Sequence, residues 1–536
     1  MRAALRRVPV ERKERQRSKI RPFPAAIRGW VANENLANAQ PGGCFILENG
    51  FPTQTGVRIR KGQEKFATIG ANPVESMFSY QSGALDRIFA TDSTNIFDIT
   101  TVVDPDTPPT AAVTAQTSGY YSTLQFETAG GDFLYAVNGT DSPQLYDGST
   151  WMAVTDVSSP GITGVTTSDL IQAWVYRNRI YFVEKNSMSA WYLPVDSLGG
   201  AAEEFSLRGI FQKGGKLILG ATWSLDAGDG VDDKAVFISD QGEVAIYEGS
   251  YPGAGEFPWS LVGVYQITAP LGKNATMRAG GDLLVLTEDG IVPISAAIHK
   301  DSAALSLAAI TRPIEPEWQK EVQVRQSNGP WEILKWPSHN MAIVALPLTT
   351  TSEETAKYCF VVNVETGAWA KWVGVAPQCL TVHAGWAYFG TIDGTIMKAE
   401  STGADDGSLY EFIYVPHFDH MKGPAVNKHV LMVRATFRAS QPFNPQFSVA
   451  TDYNVSLPAT PTAATTSSGD IWDTGLWDTA VWDGGGVMTT TTRWVSAGRN
   501  GTAISAAIQI SSGNSVPSDV ELISTEILYE DGGVAV

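Results

Sequence analysis

An all-β architecture is what this sequence predicts: a β-propeller of six or seven blades, with an additional β-sandwich-like domain at the C-terminal end. Three observations carry that expectation. Stretches of Leu, Ala, Glu and Lys at helical spacing are nearly absent, while Thr, Val and aromatic residues are plentiful among 51 Gly and 29 Pro. That mixture belongs to many short strands joined by turns. An aromatic hairpin unit then recurs at near-constant intervals through the middle of the chain, as blades do. The recurrence stops near Gly403, where longer alternating stretches take over.

Taken in order, residues 1–28 form a basic N-terminal arm, with ten Lys/Arg against Glu11 and Glu14. The whole chain carries −18, so everything after the arm carries −26. A basic arm on an acidic body predicts docking onto an acidic neighbour or onto DNA phosphates, through Arg6, Arg7, Arg12, Lys13, Arg15 and Arg17. A solubilising tail is the plainer alternative. Residues 29–75 are expected to supply short hub strands, among them Phe45-Ile46-Leu47 and Val57-Arg58-Ile59-Arg60 on either side of a turn at Phe51-Pro52-Thr53.

Residues 76–402 carry the repeat. Its instances begin at Asp86, Asp132, Asn178, Lys234, Gly281, Tyr358 and Gly385, and the first three lie 46 residues apart. Blades of four strands recur at roughly 40–50 residues. A single blade cannot bury both of its faces, so several must close into a ring. In Thr391-Ile392-Asp393-Gly394-Thr395 and Thr287-Glu288-Asp289-Gly290-Ile291 an Asp-Gly pair sits between apolar strands, the signature of a tight hairpin. Trp369 and Trp372 follow the turn at Glu365-Thr366-Gly367 and are expected to pack between blades. A two-sheet sandwich, or two smaller β domains, is the competing reading of the same hairpins.

Residues 403–536 form the C-terminal β domain, with long strands in His429–Ser440 and Gln446–Val455 and a closing strand near Ile523–Glu530. Pro458–Asp470 reads as a surface loop. Next to it, Trp472, Trp477 and Trp482 recur every five residues, each followed by Asp. Five matches neither the helical nor the strand period. Each ring either packs in its own turn or joins an aromatic platform at a subunit interface.

Catalytic and metal signatures are missing from the sequence. There is no phosphate-binding Gly-rich loop with Lys, no His-Glu-x-x-His pair and no serine elbow. His417 and His420 are three apart, which brings two imidazoles together only on a helix, and this segment reads as strand or loop. The acidic run Asp226–Asp233 departs from EF-hand spacing and reads as turn carboxylates, with calcium as the sharper alternative. Ser239-Asp240-Gln241-Gly242 echoes a sialidase-type Asp box without its terminal Trp. No pair of carboxylates is singled out for glycoside hydrolysis. The chain therefore reads as a non-enzyme with no cofactor and no metal. Cys44, Cys359 and Cys379 are odd in number and widely spaced, which predicts free thiols and folding in a reducing compartment. The charged N-terminus lacks the apolar stretch of a secretory signal, and no run approaches a membrane span. A protein neither secreted by itself nor integral to a membrane is expected.

The stretch PGGCFILENGFPTQTGVRIRKG resembles the N-terminal signature of the tail nozzle or hub proteins of short-tailed bacteriophages, also called packaged-DNA stabilisation proteins. NVETGAWAKW with GWAYFGTIDGTIMKA, and WDTGLWDTAVWD followed by Trp494, are similar to that family too. The resemblance implies a structural virion protein, assembled in the bacterial cytoplasm, with no catalytic residues to carry over. It implies a homo-oligomeric tail ring, of six copies, below the portal and adaptor and beside tail fibre or needle proteins. Double-stranded DNA would pass through the lumen without sequence-specific binding, past an acidic wall that does not grip phosphates. The long basic N-terminus departs from the family pattern. A glycan-binding or glycan-hydrolysing tail propeller, and a free interaction scaffold, are the alternatives.

Overall fold

A computed structural model describes residues 18–35, 39–83, 85–224, 233–253, 257–327, 330–348, 357–462, 489–513 and 519–534. Alternating aromatic strands and tight turns fold into small antiparallel sheets, and among the described residues seven of them follow one another around an axis. Blade 1 comprises Ser76–Ser82, Leu85–Thr91, Ile96–Asp98 and Ala111–Val113, and blade 2 Ser122–Thr128, Gly131–Val137, Gln144–Tyr146 and Trp151–Ala153. Blade 3 comprises Leu170–Tyr176, Arg179–Glu184, Ser189–Tyr192 and Glu203–Ser206. Blade 4 comprises Leu217–Trp223, Lys234–Ser239, Glu243–Glu248 and Ser260–Gln266. Blade 5 has three strands, Thr276–Ala279, Asp282–Thr287 and Gly290–Pro293. Blade 6 is Glu332–Trp336, Met341–Ala345, Tyr358–Asn363 and Trp369–Val373, and blade 7 is Cys379–His383, Trp386–Gly390 and Thr395–Thr402.

The fourth strand of blade 7 is Gly62–Thr68, which pairs antiparallel with Thr395–Thr402. The first strand of blade 7 packs beside the first strand of blade 1. The ring is thereby closed, and the β-propeller is established with seven blades. All seven repeat instances fall inside blades. Six cover the second and third strands, and the one at Tyr358 covers the third and fourth, which is why only 27 residues separate it from Gly385.

Packing between blades explains the ring. Phe78, Phe89 and Tyr146 lie between blades 1 and 2, and Tyr135, Ala173 and Phe182 between 2 and 3. Trp174, Tyr181 and Phe237 lie between 3 and 4, and Val236, Ile246 and Val285 between 4 and 5. Cys379 and Tyr388 of blade 7 meet Ile88 and Ala90 of blade 1. Each of the large aliphatic and aromatic side chains among them contributes about 1.5–3 kcal/mol only when its own blade is covered by a neighbour. Trp369 bonds through Nε1 to the Ile310 carbonyl at 3.0 Å, beside blade 5. Trp372 departs from expectation: three residues along a strand reverses the face, and its Nε1 reaches the Gly50 carbonyl at 3.0 Å, outside the ring.

A helical insert follows the third strand of blade 5, at Ile294–His299 and Glu315–Arg325. The second helix has Pro in its first turn, Glu315 and Glu317 at its N-terminal end and Arg325 in its last turn, a polarity that suits the helix dipole. Trp318, Glu321, Val322 and Arg325 are its buried face, and Trp318 Nε1 donates to the Thr287 carbonyl of blade 5 at 3.1 Å.

The C-terminal strands form a two-sheet sandwich. One sheet runs Gly50–Pro52, Val57–Ile59, Glu521–Val534, Val426–Ala439, Thr489–Gly501, with Lys19–Pro24 also paired to Glu521–Val534. The other runs Cys44–Glu48, Glu411–Pro416, Ile504–Ser511, Gln446–Thr451 and is continuous with blade 6. Phe23, Val430, Val433, Ile504, Ile527 and Tyr529 fill the space between them.

Two boundaries therefore differ from those read in the sequence. The end of the basic arm is part of the sandwich, with Phe23 buried and Arg21 paired to Asp419 at 2.6 Å. Residues 29–75 are shared among both sandwich sheets and blade 7. Alternation in KIRPFP is masked by Pro22 and Pro24, and a strand completing a distant blade leaves no local signal.

Candidate functional site

The first strands of the blades line an axial channel. A cleft of about 740 Å³ in it is walled by blades 2 to 5, with Gln125, Gln172, Thr222 and Arg278 among the lining residues. Neighbouring first strands splay too far apart to pair along their length, and side-chain amides span the gap. Gln172 Nε2 donates to the Gly220 carbonyl at 2.8 Å while its Oε1 accepts from Gly220 N at 2.7 Å, tying blade 3 to blade 4. Gln125 of blade 2 does the same with the Gln81 backbone of blade 1, at 2.5 and 3.0 Å. An amide carries one donor group and one acceptor and so replaces a peptide in the ladder.

The channel is closed at the end where these strands begin. Lys273, just before blade 5, donates to the Tyr120 carbonyl at 2.8 Å and sits 4.4 Å from the Tyr120 ring centroid. Asn274 donates to the Tyr121 carbonyl at 3.0 Å and to Glu332 Oε1 of blade 6 at 3.4 Å. Glu332 Oε2 accepts Leu380 N of blade 7 at 3.1 Å. Blades 2 and 5 face each other across the ring, so these bonds cross the axis. Burial pushes Lys273 down to about 7 and Glu332 up to about 7, each drawn back by the other's charge.

A second polar cluster joins propeller to sandwich. Arg60 is fully buried, and its two Nη atoms meet the two carboxylate oxygens of Asp405 at 2.7 and 2.6 Å. Its Nε donates to Asn49 Oδ1 at 2.8 Å, Nη2 donates to the Val373 carbonyl at 3.2 Å, and the guanidinium lies 3.8 Å from the Tyr410 ring centroid. Asn49 Nδ2 donates to the Glu411 carbonyl at 2.8 Å. Beside it, Arg58 pairs with buried Glu400 at 2.6 Å, and Lys61 N donates to the other Glu400 oxygen at 3.0 Å. Glu400 holds φ +58, a left-handed conformation that a non-glycine residue keeps only when its surroundings enforce it. Blades 6 and 7 and both sandwich sheets thus converge on residues 49–61.

Of the residues singled out by sequence, Arg6, Arg7, Arg12, Lys13, Arg15, Arg17, Trp472, Trp477 and Trp482 lie outside the described residues, as does Asp226–Asp232. Asp233 is buried at the channel wall and accepts from Ser224. Asp240 caps a hairpin turn, accepting Lys216 N at 2.9 Å. His420 Nε2 meets the Tyr453 hydroxyl at 2.8 Å, and His417 is buried, with burial lowering its pKa. Among the described residues no three His, Cys, Asp or Glu side chains group as metal ligands. The amide clamps, the axial plug and the Arg60 joint went unnoticed in the sequence. Only NG-F-P and V-R-I-R, with a charge at an inward strand position, hinted at the last.

No protein-family profile and no curated protein matches this chain. Solved structures do. The computationally designed Ika8 protein is 9% identical over 63% of this chain and 99% of its own, with a TM-score of 0.35. YCF48 from Cyanidioschyzon merolae is 9% identical over 63% of this chain and 98% of its own, at 0.35. BBS1N, solved in complex with ARL6DN, is 9% identical over 64% and 97%, at 0.36.

Proposed function

We propose that this chain is a structural tail protein of a short-tailed bacteriophage, a subunit of a ring that guides and seals packaged DNA. The observation that carries the reading is where the family-like stretch falls. Residues 41–62 hold both sandwich sheets, blade 6 and blade 7 in one orientation through Asn49, Arg58 and Arg60. A segment of that kind serves a rigid scaffold, which transmits position and not chemistry.

The blind axial channel refines the reading. Lys273 and Asn274 reach across it to the Tyr120 and Tyr121 carbonyls, so DNA does not thread an individual propeller. The conduit of this proposal lies between copies, where a net −18 per chain repels phosphate and lets a duplex slide. Electron microscopy of purified virions tests it. A cyclic tail ring whose density fits a seven-bladed propeller with its sandwich is expected. Particles without this chain, or turnover of a glycan by the isolated protein, would refute it.

A further inference from the structure

A cavity of about 400 Å³ lies between strand Lys19–Pro24, residues 39–43 and residues 416–420. His417 lines it and is 7% exposed, and neither of its ring nitrogens has a hydrogen-bond partner among the described residues. Gly43 walls the Nε2 side so closely that a Cβ there would stand 3.1 Å away. A buried imidazole ordinarily donates from one nitrogen and accepts at the other. His417 does neither.

The charged groups around His417 are already paired. Arg21 of the strand holds Asp419 at 2.6 Å, and Arg28 holds Glu34 at 2.6 Å. Glu34 Oε2 also accepts Gln40 N at 2.9 Å, and Asp419 Oδ1 accepts Met421 N at 2.6 Å. His420 is the other titratable group lining the cavity, and its Nε2 meets the Tyr453 hydroxyl. A proton arriving on His417 adds a second N–H and a charge where each carboxylate is engaged by an arginine. Burial lowers its pKa most, the Glu34 charge raises it in part, and the Arg28 charge lowers it further.

The strand beside this cavity has little to hold it. Phe23 is the one buried side chain of its six, and among the described residues it pairs on one side only, with Glu521–Val534. Pro22 and Pro24 have no N–H to give. Such lightly held elements open locally while a core stays closed. We propose that His417 is an acid-sensitive latch on this strand: the neutral imidazole lets Lys19–Pro24 dock, and the protonated one releases it, together with the basic residues that precede it in sequence. The released chain takes up its proton at the ordinary 6.5 and the docked chain only at lower pH, so docking is complete above 6.5 and is lost as pH falls below it. The latch needs only the sandwich and stands apart from the tail-ring reading.

Hydrogen exchange read by mass spectrometry on the full chain tests it, with rates corrected for the intrinsic effect of pH. Protection of residues 19–25 is expected to fall between pH 7 and pH 5, by at most about tenfold per pH unit, the limit for one proton. Strand Val426–Ala439 is expected to keep its protection throughout. H417Q, polar and non-titrating, and H417F, apolar and ring-shaped, should each show the same protection of residues 19–25 at both pH values, and H420Q should follow the wild type. The quantity read is the ratio between the two pH values, so a variant that weakens the strand equally at both still decides. Unchanged wild-type protection down to pH 5, or a wild-type fall in H417Q and H417F, overturns the latch. An equal fall across Val426–Ala439 overturns it too, because acid then opens the whole sandwich.

Discussion

Arg60 and Asp405 form a bidentate pair in which the guanidinium has 1% and the carboxylate 12% of its side-chain surface exposed. Arg60 arrives from the strand leaving the sandwich and Asp405 from the chain leaving blade 7, so the pair fixes one unit against the other. Removing one member of such a pair leaves its partner charged and buried, at a cost of about 3–5 kcal/mol. R60A is expected to lower the unfolding free energy by that order, read as an earlier urea midpoint, and R60K to recover part of it, because an ammonium keeps the charge and loses the fork. Equal stability of R60A and wild type would remove the joint from the account.

The blade 3–blade 4 seam depends on Gly220. A Cβ there would stand 2.3 Å from the Trp174 ring, so the indole and the Gln172 clamp share a space that a methyl group would fill. G220A is expected to destabilise by about 1–3 kcal/mol through overpacking. Q172L leaves the Gly220 N–H and C=O unpartnered and should cost a similar amount. Denaturant titration followed by Trp fluorescence reads both.

Truncation tests the strand at the end of the arm. Deleting 1–28 removes Lys19–Pro24 and buried Phe23, and is expected to unfold the sandwich. F23A alone should cost about 3–5 kcal/mol. A 1–28 deletion with wild-type stability would restore the independent arm expected from sequence.

The axial plug should give stability a characteristic pH profile. With its folded pKa raised to about 7, Glu332 stabilises most below its ordinary 4.5, and that contribution is lost as pH rises through 7. Lys273, lowered to about 7 from 10.5, sheds its proton first in the folded chain, so its contribution is regained as pH rises from 7 towards 10.5. The two together place a local minimum near pH 7. E332Q keeps an acceptor for Leu380 N and removes the falling limb, so its melting temperature should gain on wild type between pH 5 and 7. Parallel curves for the two proteins would show that Glu332 does not titrate there.

The blade hairpins were legible in the sequence because their Asp-Gly and Thr-Gly turns force positive φ between apolar runs, as Gly394 at +80° does between the second and third strands of blade 7 and Gly367 at +70° between the third and fourth of blade 6. The first strands were not. Gln172 looks like a surface residue in a linear reading and becomes a buried clamp only once two blades stand side by side, and Gln125 makes the same clamp while staying exposed. The helix at Glu315–Arg325 was overlooked because Trp318, Val322 and Arg325 sit in a segment too short to alter the composition of the whole chain. Gly62–Thr68 carries the alternation of any strand, and nothing local says that its partner is Thr395–Thr402.

That last pairing has a consequence for synthesis. Ala67 and its partner Ile396 are roughly 330 residues apart, so the strand leaves the ribosome long before its mate exists. The nascent chain must hold one unfinished edge open through the making of six blades. A stall or nonsense mutation anywhere before residue 395 leaves not a smaller wheel but an unclosed arc, prone to stick to others of its kind.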